Sequence, residues 1–155
     1  MSESFEVDAR VAASDSDASS GITPIMFRVI NTGLARTPNA PLNGTVQAGP
    51  YLLSTHIPKD PETAKVLLGD MRAQAHRTLA NVKQSVEAAG GGMRDVTQVI
   101  VFITNAADFP AFNEVYCEFF SEPFPSRSTV VVKELLVPGM LIECVVHAYL
   151  GADAL

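Results

Sequence analysis

Only two stretches of this chain carry apolar residues at helical spacing, whereas about six read as strands, and that imbalance constrains the fold more than any other feature of the sequence. The first helical stretch is DMRAQAHRTLANVKQSVEAAG, with Met71, Ala75, Leu79, Val82 and Val86 on one stripe and Gly90 as its stop. The second is DFPAFNEVYCEFF, with Asp108 as N-cap and Phe112, Tyr116 and Phe119 on one stripe. Strands are predicted at PIMFRVI, TVQAG and YLLSTHI, then at VTQVIVFIT, and finally over 127–134 and 141–149. VTQVIVFIT is a continuous β-branched run, which suits a strand buried on both faces. The order is therefore β-β-β-α-β-α-β-β, an α+β arrangement. Two amphipathic helices cover only one face of a sheet with about six strands. The other face needs a cover from outside the chain, and a partner subunit is the expected one.

At 155 residues, 47% hydrophobic and 18% charged, the chain suits one compact domain rather than a disordered polymer. A net charge of −6 gives no electrostatic support for binding nucleic acid. Cys117 and Cys144 form neither a disulfide framework nor a metal spacing, so a reducing, cytoplasmic compartment is expected. No run reaches the roughly 18 apolar residues of a membrane helix. Residues 1–24 form an acidic, Ser-rich N-terminal extension rather than a basic-then-apolar leader. Within it SFEVDARV alternates weakly, so the segment reads as a tail in preference to an added edge strand. The compact part is placed at 25–150, with 151–155 as a C-terminal tail.

The stretch PFPSRSTVVVKELLVPGMLIECVVHAY sets two charges in the last two strands. Side chains alternate faces along a strand, so Arg127, Thr129, Val131 and Lys133 share one face of the first. In the second, Ile142, Cys144, Val146 and Ala148 form the apolar set that belongs against the helices. Glu143, Val145, His147 and Tyr149 then point to the uncovered side. Two readings stand at this point. Arg127 and Glu143 are a structural ion pair at a subunit interface, or Arg127 grips a carboxylate through its planar fork while Glu143 handles a water or a proton. Alternation alone does not separate them.

FPSRSTV…LIECVVHAY resembles the C-terminal signature of the Rid family, the reactive intermediate deaminases or YjgF-like proteins. The likeness runs upstream through RTLANVKQSVEAAGGGMRDVTQVIVFITNAADFPAFNEVYCEFF, covers about residues 25–150 and is strong from 72 onward. It is most similar to the aminoacrylate-processing branch linked to pyrimidine breakdown. The resemblance implies a chorismate-mutase-like fold, with two helices on one face of a mixed sheet, assembled as a homotrimer with sites between subunits. It implies hydrolytic deamination of an enamine or imine such as 2-aminoacrylate to a 2-oxo acid and ammonia. By the same resemblance Arg127 is the carboxylate-binding arginine and Glu143 the water-positioning glutamate. Asn113, Thr129 (where many members have a cysteine), Ser54 and Thr55 belong to the substrate site.

A 2-imino acid is already an activated electrophile, so no cofactor, metal or covalent nucleophile is expected. The site needs a carboxylate anchor, a held water and a proton carrier. Two departures touch the pocket wall: Thr55 stands in place of a family glycine, and the loop NAPLNG is short and lacks an aromatic residue. They bear on the substrate more than on the reaction. Alternatives are a deaminase of a larger catabolic enamine such as 2-aminomuconate, and a non-catalytic trimer that binds a metabolite or a protein.

Other residues read as ordinary. His56 reads as a solvated loop histidine, His76 as a surface residue, and His147 as a candidate for the trimer interior. Cys117 and Cys144 read as inert packing residues. GGG at 90–92 is a helix-ending turn without the lysine of a phosphate loop, and DSDASS lacks the ligand spacing and closing glutamate of a calcium loop.

Overall fold

Six strands form one sheet in the computed structural model, which describes residues 26–151. In chain order they are β1 (Arg28–Val29), β2 (Thr45–Ala48), β3 (Tyr51–His56), β4 (Val96–Ile103), β5 (Ser126–Val131) and β6 (Ile142–Tyr149). Helix α1 (Met71–Ala88) lies between β3 and β4, and α2 (Phe109–Phe119) between β4 and β5. Across the sheet the order is β1-β2-β3-β6-β4-β5. Only β4 and β5 run parallel, and that pairing is what α2 serves, because parallel neighbours need a crossover rather than a hairpin.

The helical stripes land as the spacing requires. Asp70 caps α1, its side chain accepting from the Ala73 N–H at 2.9 Å. Met71, Ala75, Leu79, Val82 and Val86 are all buried. Gly90, at φ +88°, ends the helix in the left-handed region. In α2, Asp108 occupies the cap position but makes no capping hydrogen bond. Asn105 does that work one turn earlier, accepting from the Ala107 N–H at 3.0 Å at the start of a short 3-10 turn, Ala106–Asp108.

The core lies between the helices and one face of the sheet. Leu52 of β3, Val99, Val101 and Ile103 of β4, and Ile142, Cys144, Val146 and Ala148 of β6 meet Ala75, Leu79, Val82 and Val86 of α1 and Phe112, Val115 and Tyr116 of α2. Each buried Val, Leu, Ile or Phe side chain of this set contributes about 1.5–3 kcal/mol by leaving water, and the alanines less.

Three sequence expectations change. The first strand is only two residues long, and the one predicted over 127–134 stops at Val131. The run 96–104 is buried on one face only: Ile100 and Phe102 are half-buried and Thr97 is exposed. The reason is that nothing among the described residues covers that side, and Val29, Leu53 and Val130 stand exposed on it as well. The extension 1–24, with its DSDASS run, and residues 152–155 of the C-terminal tail lie outside the described residues.

One polar clasp ties α1 to the segment that enters β6. The buried Gln74 amide donates to the carbonyls of Gly69 (3.2 Å) and Gly139 (2.8 Å), and its oxygen accepts from the Leu141 N–H at 2.8 Å. Replacement by alanine leaves three backbone groups without partners, at a cost of about 2 kcal/mol or more. Gln74→Ala should therefore lower the midpoint of urea unfolding clearly, with the slope unchanged.

Candidate active site

Arg127 sits near the start of β5, on the sheet's outer edge, in register with Val99 of β4. Val99 faces the helices, so Arg127 does too. Its guanidinium carbon lies 4.4 Å from the ring centre of Tyr116 and 5.5 Å from those of Phe109 and Phe112. These three rings occupy one stripe of α2 at spacings of three and four residues, where side chains are neighbours. Asn113 follows Phe112, lies one turn from both Phe109 and Tyr116, and is half-buried. Thr129 comes two residues after Arg127 on the same face, and its hydroxyl is buried without a hydrogen-bond partner. The Tyr116 hydroxyl is in the same condition. Burial pushes its pKa up to about 12, against the opposing pull of the Arg127 charge, so the phenol stays protonated.

Glu143 is on the other side. In β6 it pairs with Phe102 of β4, away from the helices. Burial holds its carboxyl above the ordinary glutamate range, and among the described residues it has no cationic partner. Thr55 pairs with Val145, which places it diagonal to Glu143 on the same face. The Thr55 N–H donates to the Gly44 carbonyl at 2.8 Å, so it is not free to meet a ligand. His147, the next residue along this face from Val145, is half-buried and its Nδ1 lies 3.0 Å from Gln98 Oε1, within hydrogen-bond distance.

The six sequence-predicted site residues thus divide. Arg127, Thr129 and Asn113 gather beside the aromatic stripe of α2, whereas Glu143 and Thr55 share the open face. Arg127 and Glu143 are two strands apart and three residues out of step along the ladder. At about 4.8 Å per strand and 3.3 Å per residue their Cα atoms are roughly 14 Å apart, with side chains pointing in opposite directions. They form no ion pair within the chain.

Ser54 belongs to neither group. It is buried under the helices, with its hydroxyl 2.8 Å from Thr45 Oγ1 and 2.5 Å from His56 Nε2. His56 is consequently a correction to the sequence reading. It is a buried strand residue, not a solvated loop one, and desolvation first, then the nearby Lys59 charge, lower its pKa to about 3. Cys117 is also a correction, being exposed rather than packed. Cys144 is fully buried, with its thiol pushed up to about 12 by desolvation. His76 is on the surface, beside Phe119. Sequence reasoning missed the rings under Arg127. The spacing of Phe112 and Tyr116 was visible, but Phe109 was not included in that stripe and the crossover that lays α2 against β5 was not legible.

A sheet that is antiparallel but for one parallel pair, with two helices packed on one face and an arginine on the outer strand, is an α+β architecture with an open sheet face among the described residues. The family model described as Endoribonuclease L-PSP matches residues 33–150, and the chain belongs to that family, the YjgF/Rid family. A 2-iminobutanoate/2-iminopropanoate deaminase of Dermatophagoides farinae is 45% identical over 109 residues, covering 70% of this chain and 85% of that one. A RutC family protein of Pyrococcus horikoshii is 38% identical over 125 residues, covering 80% and 98%. The crystal structure of E. coli TdcF with bound serine superposes with a TM-score of 0.71 at 34% identity, covering 79% of this chain and 98% of that one.

The Glu143 environment makes a stability prediction with a definite sign. A carboxyl whose pKa is raised by folding binds its proton more tightly in the native state, so stability falls as pH rises from the unfolded value through the folded one. Glu143→Gln removes that loss. The variant should melt at the same temperature as the native chain at low pH and at an equal or higher one at neutral pH, by differential scanning calorimetry. A lower neutral-pH melting temperature would mean that the carboxylate has a cationic partner in the assembled protein.

Proposed function

We propose that this protein hydrolyses reactive 2-imino acids and their enamine tautomers, 2-aminoacrylate among them, to 2-oxo acids and ammonia. The observation that carries the reading is the state of Arg127. A half-buried guanidinium is held in place by aromatic rings yet, among the described residues, has no carboxylate partner of its own. Such a group is an anchor for an anion that arrives from outside. The deaminase relative acts, by its name, on small imino acids. Serine, bound in the E. coli relative, presents the same carboxylate beside a nitrogen-bearing carbon.

In this reading Arg127 binds the substrate carboxylate bidentately, with Thr129 and Asn113 beside it. Glu143, made more basic by burial, takes a proton from water as the oxygen adds to the carbon of the protonated imine, whose nitrogen becomes a neutral amine. Glu143 then gives that proton to the nitrogen, the C–N bond breaks as ammonia leaves, and Glu143 takes up the hydroxyl proton as the carbonyl forms, passing it on to ammonia or water. Water is the only co-reactant, and no metal or cofactor enters.

Because Arg127 and Glu143 face opposite ways in one chain, the two halves meet only if a second copy brings its own open face or edge alongside. A homotrimer with three such clefts supplies this. It also buries the apolar open face that includes Leu53, Phe102, Val130 and Val145. A cytoplasmic setting agrees with two free thiols. Among the described residues no helix is long and apolar enough to cross a membrane. The net charge of −6 gives RNA phosphates no attraction overall, which disfavours nuclease action as a rival.

The direct test generates 2-aminoacrylate from serine with a dehydratase and follows 2-oxo acid release with and without this protein. Acceleration is expected, and its absence would refute the proposal. Arg127→Ala should lower kcat/KM by about a hundredfold or more, and Arg127→Lys should be nearly as poor. Glu143→Gln should lose turnover steeply while its affinity for a 2-oxo acid changes little. In sedimentation the native protein should behave as about three chains. A stable monomer would remove the shared clefts.

A further inference from the structure

We propose that Tyr116 is the positioning residue of the anion anchor. Backed by Phe109 and Phe112, its ring holds the Arg127 guanidinium flat on α2, so that the donor edge meets the incoming carboxylate in one orientation. The inference rests on the reading of Arg127 given above.

An arginine on an outer strand has a long flexible side chain and neighbours on one side only. Left alone it would sample many rotamers, and fixing it would be charged against ligand binding. Here its guanidinium lies over three rings, with Tyr116 the nearest at 4.4 Å. The Tyr116 ring is itself locked. It stacks on Phe120 with centroids 4.4 Å apart and planes 27° from parallel, and it leans on Phe112 at 5.6 Å and Phe124 at 6.4 Å. It is buried to 3% exposure. The platform is therefore rigid where the arginine is not, and a planar cation on a rigid π-face loses its out-of-plane freedom while keeping all its edge donors.

The Tyr116 hydroxyl supports the assignment to the ring. It makes no hydrogen bond among the described residues, so it neither fixes the tyrosine nor reaches the arginine. What Tyr116 gives to the site is its face. Phenylalanine supplies the same face, and a branched aliphatic residue fills space without it.

The test compares Tyr116→Phe, Tyr116→Leu, Arg127→Ala and the double variant Tyr116→Leu/Arg127→Ala in the full-length protein. Pyruvate affinity is measured by calorimetry, and KM and kcat by the aminoacrylate assay. Tyr116→Leu should raise Kd and KM by between about threefold and thirtyfold, the range of a cation–π contact, with kcat within about twofold of native. Tyr116→Phe should restore native values. In the double variant the leucine should add nothing to the loss caused by Arg127→Ala, since Tyr116 acts through that side chain.

Native affinity in Tyr116→Leu, an equal loss in Tyr116→Phe, or a further loss in the double variant would each overturn the inference while leaving Arg127 as anchor. Native affinity in Arg127→Ala would overturn the anchor itself, and this inference with it. Should Tyr116→Leu fail to fold, Phe109→Leu tests the platform from its half-buried end with the same readings and a smaller expected rise in Kd.

Discussion

Side-chain alternation along β-strands is the constraint on which the rest of this molecule depends. It sends Ile142, Cys144, Val146 and Ala148 of β6 into the core and Glu143, Val145, His147 and Tyr149 out of it. Through the parallel register of β4 and β5 it also turns Arg127 towards the helices. A slip of one residue would put the arginine on the open face and unpack the core of β6. The two charges are thus held apart by the same rule that builds the hydrophobic layer, and neither can be moved without losing that layer.

Charges kept apart in this way must each be made tolerable alone. Arg127 is stabilised by ring faces, which attract a cation without using up the donors on its edge. Glu143 responds by holding its proton more tightly, because burial penalises the carboxylate. Elsewhere in the core two polar groups are closed off by hydrogen bonds. Gln74 bonds three backbone groups across α1 and the entry to β6, and Ser54 bridges Thr45 and a neutral His56. The contrast is informative. Gln74, Ser54 and His56 have partners, whereas Arg127 and Glu143 have no ionic partner among the described residues.

That economy matches the proposed reaction. An imine carbon conjugated to a carboxylate needs little activation, so orientation and one proton carrier are enough. It also explains how a family whose model carries the description of an endoribonuclease includes a relative named for deaminating small imino acids. The family's shared part is the scaffold, and the chemistry is argued from the site. In the proposed site Thr55, with its N–H already bonded to Gly44, stands on the face of Glu143 and away from the Arg127 anchor.

Much of the fold was legible in one dimension. The α1 stripe, the apolar alternation of 142–148 and the single covered face follow from periods of 3.6 and 2, which are properties of local backbone geometry and need no knowledge of neighbours. Other features were not legible. His56 reads as a loop residue until the hairpin places it opposite Cys144 under α1, and Asp108 reads as a cap until Asn105 takes the turn before it. The stripe Phe112, Tyr116, Phe119 announces an apolar helix face, but only the crossover from β4 to β5 lays Phe112 and Tyr116, with Phe109, beneath Arg127. The sequence by itself determined which residues share a face, because that depends on spacing along one element. Tertiary structure decided which faces meet, because strand order and crossover path are set by packing among segments far apart in the chain.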